Sequence, residues 1–347
     1  QSIQVHLLSG HEITYQAWNG VPAQYLDDKT LRHFNTAGTE KPGEPYRDEV
    51  DDYSQQHLLL HYKRMLMPQL VLQLNGHYTK GAGYYEQYKT NEDYADYGLS
   101  PWIIADSAIT STDLVRRRWL DNDFYGGTFA LRWQPVEKKI TSILLGGALS
   151  RYTGRHFGEI IWSENPTGQG NDYRYYDNNA DKRDANLYLK TEAAFSRKLT
   201  AFIDVQGRVI AYDFLGFDQN LEPTDQSVQH YFFNPKVGLS YSLSNKWVAY
   251  GFFLILHREP NRDDYTQSSP QTRPKSEALA DTELGLRFAG INLNASANFF
   301  LMQYRNQLVL DGRINDVGAY IRTNVPDSYR AGLELEASLR ASNRLSF

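Results

Sequence analysis

The chain has 347 residues, a formal net charge of −5 and 41% hydrophobic residues, with a mean hydropathy of −0.58. No apolar stretch approaches the roughly 18 residues that a membrane-spanning helix requires, so the sequence excludes a helical membrane protein. The chain contains no cysteine, which excludes disulfides and thiolate-ligated metals, and it has no basic stripe that would indicate binding to nucleic acid.

Segments with a two-residue periodicity follow one another along the whole chain. In residues 2–8, the side chains of Ile3, Val5 and Leu7 lie on one face. In residues 329–340, the odd positions are Tyr, Ala or Leu and the even positions are Arg, Gly, Glu or Ser. This alternation predicts strands, because an amphipathic helix would repeat its apolar residues every three or four positions. Beyond the opening strand, the pattern predicts strands near residues 54–63, 69–79, 122–134, 139–152, 184–196, 199–213, 230–243, 246–257, 276–288, 291–304, 326–341 and 344–347.

Short and long connections alternate between these predicted strands. The short turns are predicted at residues 65–68, 135–138, 197–198, 244–245, 289–290 and 342–343. The long connections are predicted at residues 10–52, 80–120, 153–183, 215–229, 258–275 and 305–325. Transmembrane β-barrels keep short turns on one side and long loops on the other, whereas soluble β-sandwiches and propellers lack this asymmetry. The sequence therefore predicts an all-β, antiparallel transmembrane barrel segment of about thirteen strands, with its function in the long loops.

The same alternation predicts which side chains meet lipid and which meet the lumen. In the last long strand, the predicted lipid face carries Leu333, Leu335 and Leu339, and the predicted lumen face carries Arg330, Glu334 and Glu336. Aromatic residues beside the short turns are predicted to form an interfacial girdle. Its members are Trp133, Phe195, Tyr241, Trp247 and Phe288.

Several stretches resemble one known family. Residues 234–288 contain NPKVGLSYSLSNKWVAYGFFLILHREPNRDDY and then PKSEALADTELGLRF, and this stretch resembles the barrel of the TonB-dependent outer-membrane receptors. In it, residues 257–260 (HREP) stand where the family has a Phe-Arg-Ala-Pro-like box. NVPDSYRAGLELEAS at residues 324–338 is similar to a late strand of the family, and residues 83–99 are similar to loops of its Bacteroidetes-type members.

This resemblance implies a 22-stranded barrel with an N-terminal plug in the lumen, located in the outer membrane of a Gram-negative cell and embedded in its lipid. Residues 1–347 would form part of that barrel as a single domain, and the plug, which contacts the TonB complex, would be absent from this segment. The implied function is binding and uptake of a scarce nutrient rather than catalysis. Neither a cofactor nor a resident metal is expected.

The favoured ligand is an iron-siderophore or a similar metal chelate. Haem receptors of the family carry a histidine after the first box, but none lies between Pro260 and Pro274. These receptors also have a second, Asn-Pro-Asn-Leu-like box, and residues 273–277 (RPKSE) match it only weakly. A haem or cobalamin receptor of the same family, or a structural or carbohydrate-binding β protein, is kept as the alternative.

Tyrosine, arginine and histidine residues in the predicted long loops are the candidate ligand-binding residues. Aromatic rings and guanidinium groups suit an anionic, planar chelate, although aromatic residues also pack loops against each other. The candidates are Tyr84, Tyr85, Tyr88, Arg155, His156, Trp162, Arg174, Tyr175, His257 and Arg258. His257 could instead be an interface residue at the top of a strand.

No catalytic residues are predicted. The chain lacks the G-x-S-x-G, H-E-x-x-H and glycine-rich phosphate-loop motifs. His57 and His61 share one strand face, but strand rise places them about 13 Å apart, too far to share a metal unaided. They are predicted to line the barrel wall.

Overall fold

Strands account for most of the backbone in the computed structural model, which describes residues 1–17, 20–105, 107–136, 139–170, 173–217, 225–266, 268, 273–314, 320–342 and 344–346. The strands are β1 (Ser2–Tyr15), β2 (Val50–Met67), β3 (Leu70–Asp93), β4 (Trp102–Ile104), β5 (Ser107–Ile109), β6 (Ser111–Trp133), β7 (Ile140–Ser163), β8 (Arg174–Ala194), β9 (Leu199–Phe217), β10 (Gln226–Ser242), β11 (Trp247–Arg258), β12 (Glu277–Ala289), β13 (Leu293–Ile314), β14 (Tyr320–Ser342) and β15 (Leu345–Ser346).

Thirteen of these strands form one antiparallel sheet, in the order β1-β2-β3-β6-β7-β8-β9-β10-β11-β12-β13-β14-β15. Each strand pairs with the next one along the chain, except that the small β4–β5 hairpin stands apart between β3 and β6. Within the described residues, β1 and β15 are the two edges, so the sheet is not closed. The predicted all-β, antiparallel fold and its thirteen strands are confirmed.

The short turns lie where the sequence predicts them. The sheet turns back at residues 68–69, 195–198, 243–246 and 290–292. At residues 243–246, the turn is closed by a hydrogen bond from Ser244 N to Trp247 O of 3.2 Å. Two predicted turns fall partly outside the described residues, since positions 137, 138 and 343 are not among them.

The strands are much longer than predicted on the side of the long connections. β3 runs on to Asp93, and its pairing with β6 continues from Leu70↔Trp133 to Asp93↔Ser111. Likewise β7 and β8 extend through most of the connection predicted at residues 153–183. The predicted loop boundaries at 80–120 and 153–183 are therefore wrong. The reason is that both faces of these extensions carry polar and aromatic residues, which removes the alternation without breaking the backbone hydrogen bonds.

Strand pairing gives the sheet two faces that are continuous from strand to strand. Leu335 pairs with Ala297, which pairs with Leu286, and their side chains share the face that we call the apolar face. Glu334 and its partner Asn298 lie on the other face, which we call the polar face. Leu335 is 71% exposed, so the apolar face has no protein cover there. The predicted division between leucines and charged residues in β14 is confirmed.

Helices are few and short. The helix α1 (Arg262–Thr266) lies in the β11–β12 connection, and 3-10 turns occupy Ala23–Tyr25, Leu31–His33 and Tyr94–Tyr97. No helix among the described residues is long and apolar enough to cross a membrane. Helix α1 rests on the sheet, because Tyr265 is buried in one cluster with Tyr212 and Phe214.

Candidate ligand-binding surface

The upper parts of β3, β6, β7 and β8 bring together eight of the ten candidate residues. We call the part of the sheet whose apolar face carries exposed leucines, such as Leu74, Leu145 and Leu189, the apolar band. These four strands continue beyond it, and alternate residues there still fall on opposite faces of the ladder. Tyr85, His156 and Tyr175 lie on the polar face, and the other five lie on the apolar face. The two remaining candidates, His257 and Arg258, end β11 and lie elsewhere.

A tyrosine-lined arginine is the centre of the polar-face group. Strand pairing aligns Tyr85, Arg118, Gly158 and Tyr176 in one row across four strands. Arg118 donates hydrogen bonds from Nη1 to the Tyr85 hydroxyl at 3.1 Å and from Nε to the Tyr175 hydroxyl at 3.3 Å. Gly158 permits this packing, since a Cβ there would overlap the Tyr175 ring.

The surroundings of Arg118 leave its charge without a carboxylate partner. Within the described part of the chain, no carboxylate forms an ion pair with Arg118, and its hydrogen bonds go to neutral hydroxyls. Burial raises the pKa of Tyr175 and of Tyr176, so both phenols remain protonated at neutral pH. Together these groups hold a positive charge on the polar face that an anion could neutralise.

Tyr175 itself is completely covered. Its side chain is 0% exposed and packs in one cluster with Tyr94, Tyr97 and Leu114. The Tyr97 ring centroid lies 4.7 Å from that of Tyr175, and Tyr173 donates a hydrogen bond to the Tyr97 carbonyl at 2.6 Å. Any ligand contact by Tyr175 would therefore run through the arginine that it holds.

The apolar-face tyrosines are also tied to charged neighbours. The Arg117 guanidinium lies 4.1 Å from the Tyr84 ring centroid and donates a hydrogen bond to Glu86 at 2.7 Å. Tyr88 is buried and donates from its hydroxyl to Asp113 at 2.7 Å. Burial, aided by Asp113, raises the pKa of Tyr88 to about 12.

Trp162 differs from these tyrosines because it is accessible. Its ring stacks on Tyr88 with a centroid distance of 6.0 Å, yet 46% of its surface is exposed. Lower on the same face, Arg155 in β7 and Arg174 in β8 both donate to Asp177 at 2.8 Å. The Arg174 guanidinium also covers the Phe157 ring at 3.7 Å. Since Arg174 Nε also lies 3.7 Å from Glu159, carboxylates already neutralise both arginines in part.

His156 lies on the polar face near helix α1. Burial, followed by the positive charge of Arg262, lowers the pKa of His156 to about 4. The imidazole is therefore neutral at physiological pH. As a neutral ring it can donate one hydrogen bond and accept another, but it adds no positive charge to the surface.

His257 and Arg258 form a separate group at the end of β11. The backbone N–H of His257 and its ring Nδ1 both contact Asn234 Oδ1, at 3.1 and 2.9 Å, and the ring stacks on Phe232. Arg258 lies 3.6 Å from Glu277 and donates to the Leu308 carbonyl at 3.4 Å. Since pairing of β11 with β10 stops at Lys236, beside a proline that cannot donate, Asn234 replaces the missing strand contact.

Sequence reasoning missed two features of this region. The first is Arg118, although the run of three arginines at residues 116–118 on one strand could have shown that at least one would face inward with the tyrosines. The second is Glu259, which lies 3.2 Å from Lys182 and 3.0 Å from Arg208. These ion pairs fasten the start of the β11–β12 connection to β8 and β9, a contact that no local pattern indicates.

Comparison with known proteins gives one family and one fold. The family model described as TonB dependent receptor-like, beta-barrel matches residues 7–347. A search of curated proteins finds no match. Among solved structures, the ferric-catecholate import receptor Fiu from E. coli is similar with a TM-score of 0.59 and 13% identity, covering 98% of this chain and 53% of Fiu.

Two further solved structures have the same fold. The ferric yersiniabactin uptake receptor FyuA from Yersinia pestis aligns with a TM-score of 0.56 and 10% identity, over 99% of this chain and 47% of FyuA. The copper transporter OprC aligns with a TM-score of 0.60 and 13% identity, over 86% of this chain and 49% of OprC. The chain thus spans about half the length of these structures.

Proposed function

The chain belongs to the TonB-dependent receptor-like β-barrel family, and from this premise we propose that it is the barrel part of an outer-membrane receptor for an anionic metal chelate, foremost a ferric siderophore. Proteins of this family are Gram-negative outer-membrane transporters rather than enzymes. In that setting the apolar face meets lipid and the polar face meets the lumen. The plug and the TonB complex that contacts it would belong to the whole receptor.

The observation that carries this proposal is the unneutralised arginine on the polar face. A guanidinium held by hydroxyls keeps its charge available, and its planar fork binds carboxylate, catecholate or hydroxamate oxygens with good geometry. Arg118 is such a group, because Tyr85 and Tyr175 orient it while no described carboxylate neutralises it. It lies above the apolar band, where a ligand arrives from outside the cell.

The ten candidate residues take unequal parts in this proposal. Tyr85 and Tyr175 would position Arg118, and His156 would supply a neutral hydrogen-bonding edge on the same face. Trp162, Arg155 and Arg174 lie on the opposite, outward face, so they would contact a ligand only outside the barrel wall, before it reaches Arg118. Tyr84 and Tyr88 would support the strands beneath, and His257 with Arg258 would contact a ligand that reaches further across the lumen.

Iron-chelate ligands are favoured over the other classes by the chemistry of this surface. Three of the solved structures with this fold are named as a ferric-catecholate import receptor, a ferric citrate transporter and a ferric yersiniabactin uptake receptor. No observation on the described residues favours haem, cobalamin or a carbohydrate over an anionic chelate. The charge on Arg118 fits the anionic oxygens of such a chelate.

Growth on defined iron sources tests the proposal. The full-length protein would be expressed in a Gram-negative host deleted for its own ferric-chelate receptors, and growth under iron limitation would be measured with catecholate, hydroxamate and citrate chelates. Arg118→Gln should weaken uptake of the accepted chelate by about tenfold or more, since losing an anchor at a binding site commonly costs more than about 1 kcal/mol.

A matched control is Arg183→Gln, since Arg183 lies on β8 on the other face and pairs with Asp181 at 3.2 Å. This variant should grow like the parent. If no chelate restored growth, or if Arg118→Gln at normal surface abundance took up the chelate as well as the parent, the proposal would fail.

A further inference from the structure

A second group of polar-face side chains lies below the surface just described, on β1, β2 and β3. Four histidines fall there: His6, His57, His61 and His77. Three strands contribute them, and the opposite face at the same level carries leucines such as Leu58 and Leu60. The histidines are therefore level with the apolar band, where the barrel wall crosses the membrane.

Strand pairing brings two of these histidines into contact. His6 pairs with Leu59, and Gln4 pairs with His61, so His6 and His61 are diagonal neighbours on one face of an antiparallel pair. Their ring centroids are 5.6 Å apart, with an angle of 68° between the ring planes. A metal about 2.0–2.1 Å from one nitrogen of each ring requires a centroid separation of about 4.5 Å for two ligands at a right angle, as in tetragonal Cu²⁺, and of about 5 Å at a near-tetrahedral angle.

Asn75 prepares His61 to bind a metal. The His61 Nδ1 lies 2.8 Å from Asn75 Oδ1, and Asn75 Nδ2 donates to Thr128 Oγ1 at 2.9 Å. Because the Asn75 oxygen only accepts, His61 donates from Nδ1, and the lone pair of the neutral ring is then on Nε2. A metal-binding histidine usually has such an oxygen partner for its other nitrogen, because the hydrogen bond fixes both the tautomer and the ring orientation.

His6 has the opposite property, since it is free to adjust. Its ring is exposed on the polar face, and among the described residues its side chain forms no hydrogen bond or ion pair beside the ring contact with His61. A rotation of the exposed His6 imidazole toward the oriented His61 ring closes the difference of about 1 Å or less between the observed 5.6 Å and the required separation. One fixed ligand and one adjustable ligand are sufficient to capture an ion that passes along the wall.

We propose that His6 and His61 form a two-histidine binding site for a borderline divalent transition-metal ion, Cu²⁺ before Ni²⁺ or Zn²⁺. Imidazole nitrogens prefer these ions over Mg²⁺ or Ca²⁺, and Cu²⁺ binds most strongly in the series. No group of three or more histidine or carboxylate side chains converges among the described residues. The ion therefore keeps its remaining positions for water or for ligands that it brings with it.

This incomplete coordination suits a site of passage rather than of storage. An ion that retains part of its chelator can exchange two positions for imidazoles and then leave again. Cu²⁺ binding is a property of the purified protein and does not require chelate uptake, so a failure of either one leaves the other intact.

Cu²⁺ binding to the purified full-length protein tests the site. Electron paramagnetic resonance of the parent at one equivalent of Cu²⁺, supplied as the glycinate, should show coupling to two imidazole nitrogens. His6→Gln and His61→Gln should each weaken that binding more than tenfold, and the double variant should lose little more than either single variant. Asn75→Leu should weaken binding about 10- to 100-fold, and Asn75→Asp, which keeps the acceptor oxygen, should restore it.

His57→Gln is the matched control. His57 lies on the same face of the same strand and contacts Thr79 Oγ1 through its Nδ1 at 2.9 Å, but it is four residues from His61. Each variant would be checked for the heat-resistant folded form of the barrel in detergent. The site would be disproved if the folded His6→Gln and His61→Gln proteins bound Cu²⁺ like the parent, or if His57→Gln lost binding to the same extent.

Discussion

The membrane-level band and the extensions above it use one continuous sheet in two different ways. In the band, the apolar face carries residues such as Leu239 and Leu335, and the polar face carries residues such as Glu334. In the extensions the apolar face becomes charged. Lys80 there contacts Asp121 at 2.5 Å and Asp123 at 3.1 Å. The backbone pairing is the same in both regions, so the surrounding solvent alone determines which side chains each face carries.

The two regions are also stabilised differently. In the band, the exposed apolar side chains of one face have no protein cover, and under our proposal lipid covers them. The extensions have no lipid, and they bury aromatic residues against their own loops. The cluster of Tyr94, Tyr97, Leu99, Leu114 and Tyr175 is a small protein core that caps the extended strands. We therefore expect damage in the band to affect insertion and damage in the extensions to affect only local structure.

The largest expected effect is a difference in cysteine labelling between the side of the long connections and the side of the short turns, where one side is labelled and the other is not. The two variants are Gln169→Cys, in the β7–β8 connection, and Lys246→Cys, in the short turn at residues 243–246. The native chain has no cysteine, so each variant carries a single thiol. On intact cells, an impermeant maleimide should label Cys at position 169 and not at position 246, since barrels expose their long loops outside. Position 168 is a poorer choice because Gly168 has a φ of +70°. The reverse labelling pattern would invert the assigned orientation.

The band was predictable from the sequence because two solvents leave a two-residue pattern. The division between Leu335 and Glu334, the turn at residues 243–246 and the number of strands all follow from that pattern. The extensions were not predictable in the same way. Tyr84 and Arg155 were expected in loops and lie in strands, because water on both faces removes the alternation.

Contacts between distant residues were the other part that local patterns could not supply. His6 and His61 meet only because β1 pairs with β2 in one particular register. His57 and His61 lie too far apart along one strand to share a metal. The histidine that contacts His61 is His6, on the neighbouring strand. The same holds for Glu259, whose two basic partners lie on β8 and β9. The ligand-binding roles of the candidate residues stay predictions.

The next largest effect concerns the two faces of β14. Leu335→Arg should reduce folding stability in a bilayer by about 2–4 kcal/mol, because a charged side chain near the membrane midplane loses its hydration. Glu334→Lys should be nearly neutral, since its side chain lies on the polar face beside Asn298. Both would be measured as shifts in urea-induced unfolding in lipid vesicles. Equal losses would show that the two faces of β14 meet the same solvent.

The smallest effect is a pH dependence confined to the extensions. The pKa of His156 is lowered from 6.5 to about 4, mainly by burial and then by Arg262. Between these two values the unfolded or opened segment binds a proton that the folded segment does not bind. Stability is therefore fully present above pH 6.5 and falls as the pH decreases toward 4. Lowering the pH from 6.5 to 5.5 should cost about 1 kcal/mol.

Hydrogen exchange at the amides of residues 152–158 in the full-length protein measures this loss as faster local opening, after correction for the intrinsic effect of pH on exchange. His156→Gln cannot bind the proton, so its opening free energy should be the same at both pH values. Amides of the band, such as those of residues 142–148, should show no such change in either protein. A pH slope that persisted unchanged in His156→Gln would mean that another group in the extension takes up the proton, and that burial of His156 is not what couples this region to pH.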